Sequence, residues 1–216
     1  MTTIQHHLTE DLILGYSAGT LPEAVNLIIA THISMCDECR AVVEAHDAIG
    51  GALLEDADAA TTVSGACLEG ALALIRGSDT PAPRDIRVPQ DPVAPAPLLD
   101  YIGGSLDEVK WRPVALGVKQ AILKTSSEAT ARLLYIPAGT AMPDHGHRGI
   151  ELTLVLKGAF QDDEGYFARG DIEIANEGLH HTPVADISED CICLAVTDAP
   201  LRLKGLARLA QPFFRI

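Results

Sequence analysis

Six prolines fall within twenty residues of this chain, at Pro81, Pro83, Pro89, Pro92, Pro95 and Pro97. Such a stretch resists a helix and cannot pair as a central strand, because each proline lacks an amide donor and fixes its own φ. It predicts an extended linker over 78–97 and divides the chain by pattern. Before it, apolar residues recur at helical spacing; beyond about Leu98 they alternate or cluster in short runs. The expected fold is multidomain, α followed by all-β: a small helical bundle over 1–77, the linker, and a β-barrel over 98–216.

The helical half has clear start and stop signals. Thr9 is placed to cap a first helix, with Glu10 and Asp11 in its first turn, Leu12, Ile13 and Tyr16 as its apolar stripe, and Gly19 ending it. Thr20-Leu21-Pro22-Glu23 reads as a capping box with an early proline. The second helix then runs to about Met35, with Val25, Ile28, Ile29, His32 and Ile33 in register. Asp37 can cap a third helix, through Arg40 to about Leu54, and a fourth covers roughly Val63 to Ile75.

One motif here carries chemistry. His32, Cys36 and Cys39 form H-x-x-x-C-x-x-C. A helix stacks residues four apart on one face, and a tight turn lets cysteines three apart present two thiolates to one ion. His6 and His7 lie upstream, and either completes a His2Cys2 set, which zinc favours in structural sites. No strand-like segment precedes the cysteines, so metal binding is the better reading than redox exchange. Cys67, in the fourth helix, is expected in the core, and His46 is read as a solvated or packed histidine.

Charge narrows the partners. The chain has a formal net charge of −14. Residues 1–95 hold 4 Lys/Arg against 14 Asp/Glu, so most of the excess sits with the cysteine motif. Direct nucleic-acid binding is excluded on that balance, since phosphates would be repelled, and a basic protein partner is expected. The N-terminus carries no basic and apolar leader, and no apolar run reaches the ~18 residues of a membrane span. With an odd number of cysteines, five, and no disulfide framework, a cytoplasmic location is expected.

In the second half, residues 131–136, 151–156, 171–174 and 191–196 are short strand-like runs separated by Gly, Pro and Asp, as in a sandwich or barrel. Between the first two lies G-x5-H-x-H-x3-E-x6-G, from Gly139 through His145, His147 and Glu151 to Gly158. On a strand, His145 and His147 point to the same side, and Glu151 can face them across a turn. Such N and O donors suit Zn, Fe, Mn or Ni. That spacing resembles the first motif of the cupins, small jelly-roll barrels. Their second motif is weaker here: Ala168-Arg169-Gly170 lacks the proline, and Leu179-His180-His181-Thr182-Pro183 lacks the Asn. His181 is the favoured fourth ligand, leaving His180 facing outward. Cys191 and Cys193 share one strand face and are read as buried small hydrophobes, and Trp111 as a packing residue.

The two halves together resemble the ChrR-type zinc-binding anti-sigma factors, a helical zinc domain fused to a cupin-like domain. The likeness rests on His7, the helix ending Tyr16-Ser17-Ala18-Gly19, the segment Ala30 to Arg40 containing His32, Cys36 and Cys39, the cupin motif, and the ending Gln211 to Ile216. The resemblance implies zinc on His7, His32, Cys36 and Cys39, and zinc or another divalent metal on His145, His147, Glu151 and His181. It implies a one-to-one complex with an extracytoplasmic-function-type sigma factor, released under oxidative stress with singlet oxygen as the signal. An apolar sigma-binding surface would also let the free chain self-associate. The competing reading is a metal-dependent cupin enzyme, a dioxygenase or isomerase, with a regulatory zinc-binding helical domain.

Overall fold

The structure, a computed structural model, describes residues 3–55, 64–77, 90–146 and 148–199, with a strand pairing at 202–203. Most of the expected linker, His147 and the chain end from 204 lie outside the described residues.

The described residues form five helices: α1 (Glu10–Ser17), α2 (Glu23–Ile33), α3 (Asp37–Glu55), α4 (Gly65–Gly77) and α5 (Ala96–Ile102). Two expected caps are not made. Thr9 stands at the N-cap of α1 with no side-chain bond. Pro22 takes the N-cap of α2, and Glu23 closes no capping box. Its carboxylate instead accepts the Tyr101 hydroxyl at 2.9 Å and the Ser126 amide at 2.6 Å, across the seam with the second half.

The expected switch to β at Leu98 also needs correction. Ala96–Ile102 is a helix, with Pro95 at its N-cap and Pro97 in its first turn, where a missing amide has no partner to lose. Gly103, at φ 89°, ends it. Leu98, Leu99 and Ile102 are buried, and α5 packs on α2. A 3-10 turn, Leu106–Glu108, follows, and strands begin only at Arg112. Cys67 is exposed rather than in the core, because α4 buries none of its residues.

The strands are β1 (Arg112–Pro113), β2 (Lys119–Ile122), β3 (Thr130–Ile136), β4 (His145–Gly146), β5 (Glu151–Lys157), β6 (Ala159–Gln161), β7 (Tyr166–Ala168), β8 (Ile172–Ala175), β9 (His180–His181), β10 (Val184–Ala185), β11 (Cys191–Thr197) and β12 (Arg202–Leu203). They form a six-stranded antiparallel sheet in the order β1-β2-β3-β11-β5-β8, with two three-stranded sheets, β10-β6-β7 and β12-β4-β9.

Strand alternation gives the large sheet two buried faces. Arg132 and Leu134 on β3, Glu151 and Thr153 on β5, and Cys193 and Ala195 on β11 line an internal cavity. Their neighbours Leu133, Leu152, Leu154, Leu194 and Val196 enter a core shared with the helices. That is why the first six residues of β5 are all buried, although Glu151 and Thr153 among them are polar.

The shared core explains α2. Ala24, Val25, Leu27, Ile28, Ile29, Thr31 and His32 are all buried, an apolar surface wrapping much of the helix. One side meets α1 and α3, and the other meets β3, β5 and β11. Burying each Leu or Ile contributes ~2 kcal/mol, whereas an isolated helix of this length is marginal in water. The helical half is therefore bolted to the barrel by the face of α2.

Candidate metal centres

His32 lies in the last turn of α2, Cys36 in the short connection, and Cys39 in the first turn of α3. The turn closes because the Cys36 amide donates to the His32 carbonyl at 2.9 Å. The extended segment before α1 then brings His7 against them. The donor atoms of His7, His32, Cys36 and Cys39 all lie within 4.8 Å of one another. His32 Nε2 is 3.3 Å from Cys39 Sγ, and His7 Nδ1 is 3.4 Å from Cys36 Sγ and 3.6 Å from Cys39 Sγ. A tetrahedral ion with bonds of about 2.0 Å to N and about 2.3 Å to S sets N···S edges of about 3.5 Å. The four side chains thus already stand at the corners such an ion requires, and the cluster can hold a metal.

The electrostatics agree with that use. Burial pushes the Cys39 thiol up to about 11 and the His32 imidazole down to about 4. His32 is thus a neutral ligand at physiological pH, while Cys39 needs a cation to hold it as thiolate. The Cys39 amide points at Cys36 Sγ at 3.5 Å, a donor placed for a thiolate at a helix N-terminus. His7 Nε2 faces the exposed Glu38 carboxylate at 3.4 Å, which orients the ring from outside. His6 points away, its ring 4.3 Å from Phe167 of the barrel, so His7 and not His6 joins the cluster.

The second site lies inside the barrel. The cavity has a volume of about 250 Å³, and Arg132, His145, Glu151, Glu173 and His181 provide much of its polar lining. Pairing of β4 with β9 sets His145 opposite His181, with their Nε2 atoms 3.2 Å apart. Two nitrogens about 2.1 Å from one ion are separated by about 3.0–3.4 Å, so this pair also fits a shared metal. Glu151 is buried, lines the same cavity and also accepts the Thr153 hydroxyl. His147 lies outside the described residues. His180 is exposed and covers Gly146, where a β-carbon would come within 2.3 Å of its ring.

Outer partners fix both rings. The Pro143 carbonyl can only accept, so His145 Nδ1 must carry the proton at their 2.9 Å contact, which makes Nε2, facing His181, the nitrogen that would ligate. His181 Nδ1 meets Asp162 at 2.7 Å and Glu173 at 3.0 Å. Burial alone would lower the His181 imidazole, but the two carboxylates outweigh it and raise it to about 9. Burial lifts Glu173 to about 7, while hydrogen bonds to Glu173 and His181 overcome burial and hold Asp162 below the usual carboxylate range. Asp162, Glu173 and His181 are themselves close enough to hold a cation. Their meeting at Nδ1, with Nε2 turned to His145, better fits orientation from behind.

Neither Asp162 nor Glu173 stood out in the sequence, where Glu173 is one polar residue of an alternating strand. Cys191 and Cys193 are buried 3.4 Å apart, and their mutual hydrogen bond together with burial keeps the Cys193 thiol well above its ordinary range.

Known proteins place this architecture. The chain is 55% identical to the anti-sigma-E factor ChrR of Cereibacter sphaeroides, over 99% of this chain and all of that protein. The chain belongs to the ChrR family of anti-sigma factors. Residues 101–201 match the model of the ChrR cupin-like domain. The crystal structure of Rhodobacter sphaeroides SigE in complex with the anti-sigma ChrR superposes on it with a TM-score of 0.80, at 52% identity, covering 90% of this chain and 99% of that one. As a ChrR-family member the chain is a regulator of transcription rather than an enzyme. Among the described residues no helix is long and apolar enough to cross a membrane.

Proposed function

We propose that this chain sequesters an extracytoplasmic-function-type sigma factor in a one-to-one cytoplasmic complex and releases it under oxidative stress, singlet oxygen in particular. Zinc on His7, His32, Cys36 and Cys39 staples the start of the chain to the α2–α3 turn. A divalent metal on His145, His147, Glu151 and His181 makes the barrel the sensing half.

The observation that carries this reading is the exposed apolar surface of the acidic helical half. Ile49, Leu53 and Leu54 on α3 and Leu68 and Leu74 on α4 are each at least 60% exposed. Exposed apolar residues in this number mark a surface that a partner covers. Sigma factors are basic where they meet polymerase and promoter, so the acidic surround complements them. The ChrR relative crystallised with SigE supports the same partner class.

Sigma-directed transcription in vitro tests it. The full chain is expected to inhibit at one equivalent, Cys36→Ser to lose zinc and inhibition together, and Ile49→Asp/Leu53→Asp to keep zinc but lose inhibition. Full inhibition by Cys36→Ser would remove the zinc staple from the reading. Absence of inhibition by the wild-type chain would remove the anti-sigma role.

A further inference from the structure

The helical cluster is not built by the helical half alone. Its fourth ligand, His7, belongs to no helix, and residues 4–6 before it are held by the barrel. The Asp171 carboxylate receives the Gln5 amide at 2.6 Å and the His6 amide at 2.9 Å through Oδ1. Its Oδ2 receives the Ala168 amide at 2.8 Å, which locks the carboxylate in the turn between β7 and β8. The Ile172 amide donates to the His6 carbonyl at 3.3 Å, so this short segment lies along the open edge of β8, the last strand of the large sheet. Ile4 packs on Gly170, whose φ of 93° favours glycine and where a β-carbon would come within 2.7 Å of Ile4 Cδ1. The His6 ring rests on Phe167.

We propose that the Gly170–Asp171 turn of the barrel is an outer part of the helical metal site, holding His7 at the cluster by clipping residues 4–6. The helical site's affinity for its metal then depends on the barrel. Glu173, two residues along from Asp171, lines the cavity and meets His181, so one short stretch of chain touches both centres. The inference rests on the cluster binding a metal, as proposed above.

Cobalt(II) titration of the full chain separates the two readings, because thiolate-to-cobalt charge-transfer absorption arises only at the cysteine site and the barrel's N and O donors are silent. Asp171→Ala is expected to weaken cobalt binding at that site about tenfold, the usual size of an outer-partner loss. It should also change the visible d–d bands, as water replaces His7. Ile4→Ala/His6→Ala removes the side-chain half of the clip, the packing on Gly170 and Phe167, while leaving all four ligands and the backbone bonds at Asp171 and Ile172 in place. It is expected to act in the same direction, and it decides the matter if Asp171→Ala does not fold. Affinity within twofold of wild type and unchanged bands in the double variant would overturn the clip while leaving the metal site standing. No charge-transfer band in the wild-type chain would overturn the metal site and the clip with it.

Discussion

The two centres are built from similar residue types yet differ in what surrounds them. In the helical cluster the four donor atoms lie within 4.8 Å of one another, and two of the four are thiols. In the barrel the histidines meet across a cavity of about 250 Å³, and their outer nitrogens are occupied by Pro143, Asp162 and Glu173. A closed N2S2 set suits an ion that holds a fold together, whereas an open set beside a cavity leaves room for something to arrive. That difference is what the proposed division between a staple and a sensor requires.

Equal mutations at the two centres should therefore have unequal costs. His32 is fully buried in the shared core, so His32→Ala removes a ligand and leaves a cavity. Loss of the metal adds to the large-to-small penalty, and about 5 kcal/mol or more is expected, a fall of ~10–20 °C in melting temperature. His145→Ala faces an existing cavity and should cost less than ~2 kcal/mol in the zinc-loaded chain. Differential scanning calorimetry of both variants would break the comparison if the two shifts were equal.

Acidity sharpens it next. At the helical site each cysteine must lose a proton to bind, and Cys39 holds its proton up to about 11 without a metal. His32, lowered to about 4, is already neutral and competes with no proton. At the barrel site His181, raised to about 9, must give up one proton. In both cases the protonated form is the metal-free one, so affinity falls as pH falls. Between pH 8 and 6.5 the helical site should weaken by roughly a hundredfold per pH unit and the barrel site by roughly tenfold. Chelator competition at several pH values measures both, and equal slopes would contradict the assignment of two thiols to the helical site and none to the barrel site.

A smaller effect isolates the barrel. Glu173→Gln keeps the shape behind His181 and removes a charge. The His181 imidazole should then titrate about one unit lower by NMR, since a neighbouring carboxylate is worth about that much, with Asp162 still in place. The barrel's pH slope should flatten while the helical slope stays unchanged. If His181 does not move, its basicity comes from Asp162 alone.

What could be read in the sequence followed distance along the chain. His32, Cys36 and Cys39 span eight residues, so their convergence is fixed by one helix end and one turn. The strands β3, β5 and β11 declared themselves because both of their faces are buried. Glu173 and Asp162 were invisible because only the closed barrel brings them to His181, and an inward glutamate looks like an outward one in an alternating pattern. The choice of His7 over His6 is made by Asp171, more than 160 residues away. α5 was missed because proline signals a break in the interior of a helix but is tolerated in its first turn. Glu23, three residues after a threonine, matched a capping pattern; the barrel's Ser126 amide and the Tyr101 hydroxyl took its carboxylate instead.

That last contact supplies the smallest test, on the seam between the two regions. If the shared core holds the halves together, the polar contacts at its rim should contribute little. The Tyr101 hydroxyl donates to Glu23 Oε1 at 2.9 Å in an exposed setting, and the hydrogen bond raises the Tyr101 pKa above its ordinary value. Water can replace either partner there, so the net worth of the bond is about 0.5 kcal/mol. Tyr101→Phe should lower the melting temperature by only ~1–2 °C and leave metal loading at both sites unaltered. A much larger loss, with the helical half becoming protease-sensitive while the barrel stays intact, would mean that the halves are joined at this rim rather than through Ile28, Leu133, Leu154 and Leu194 in the core beneath it.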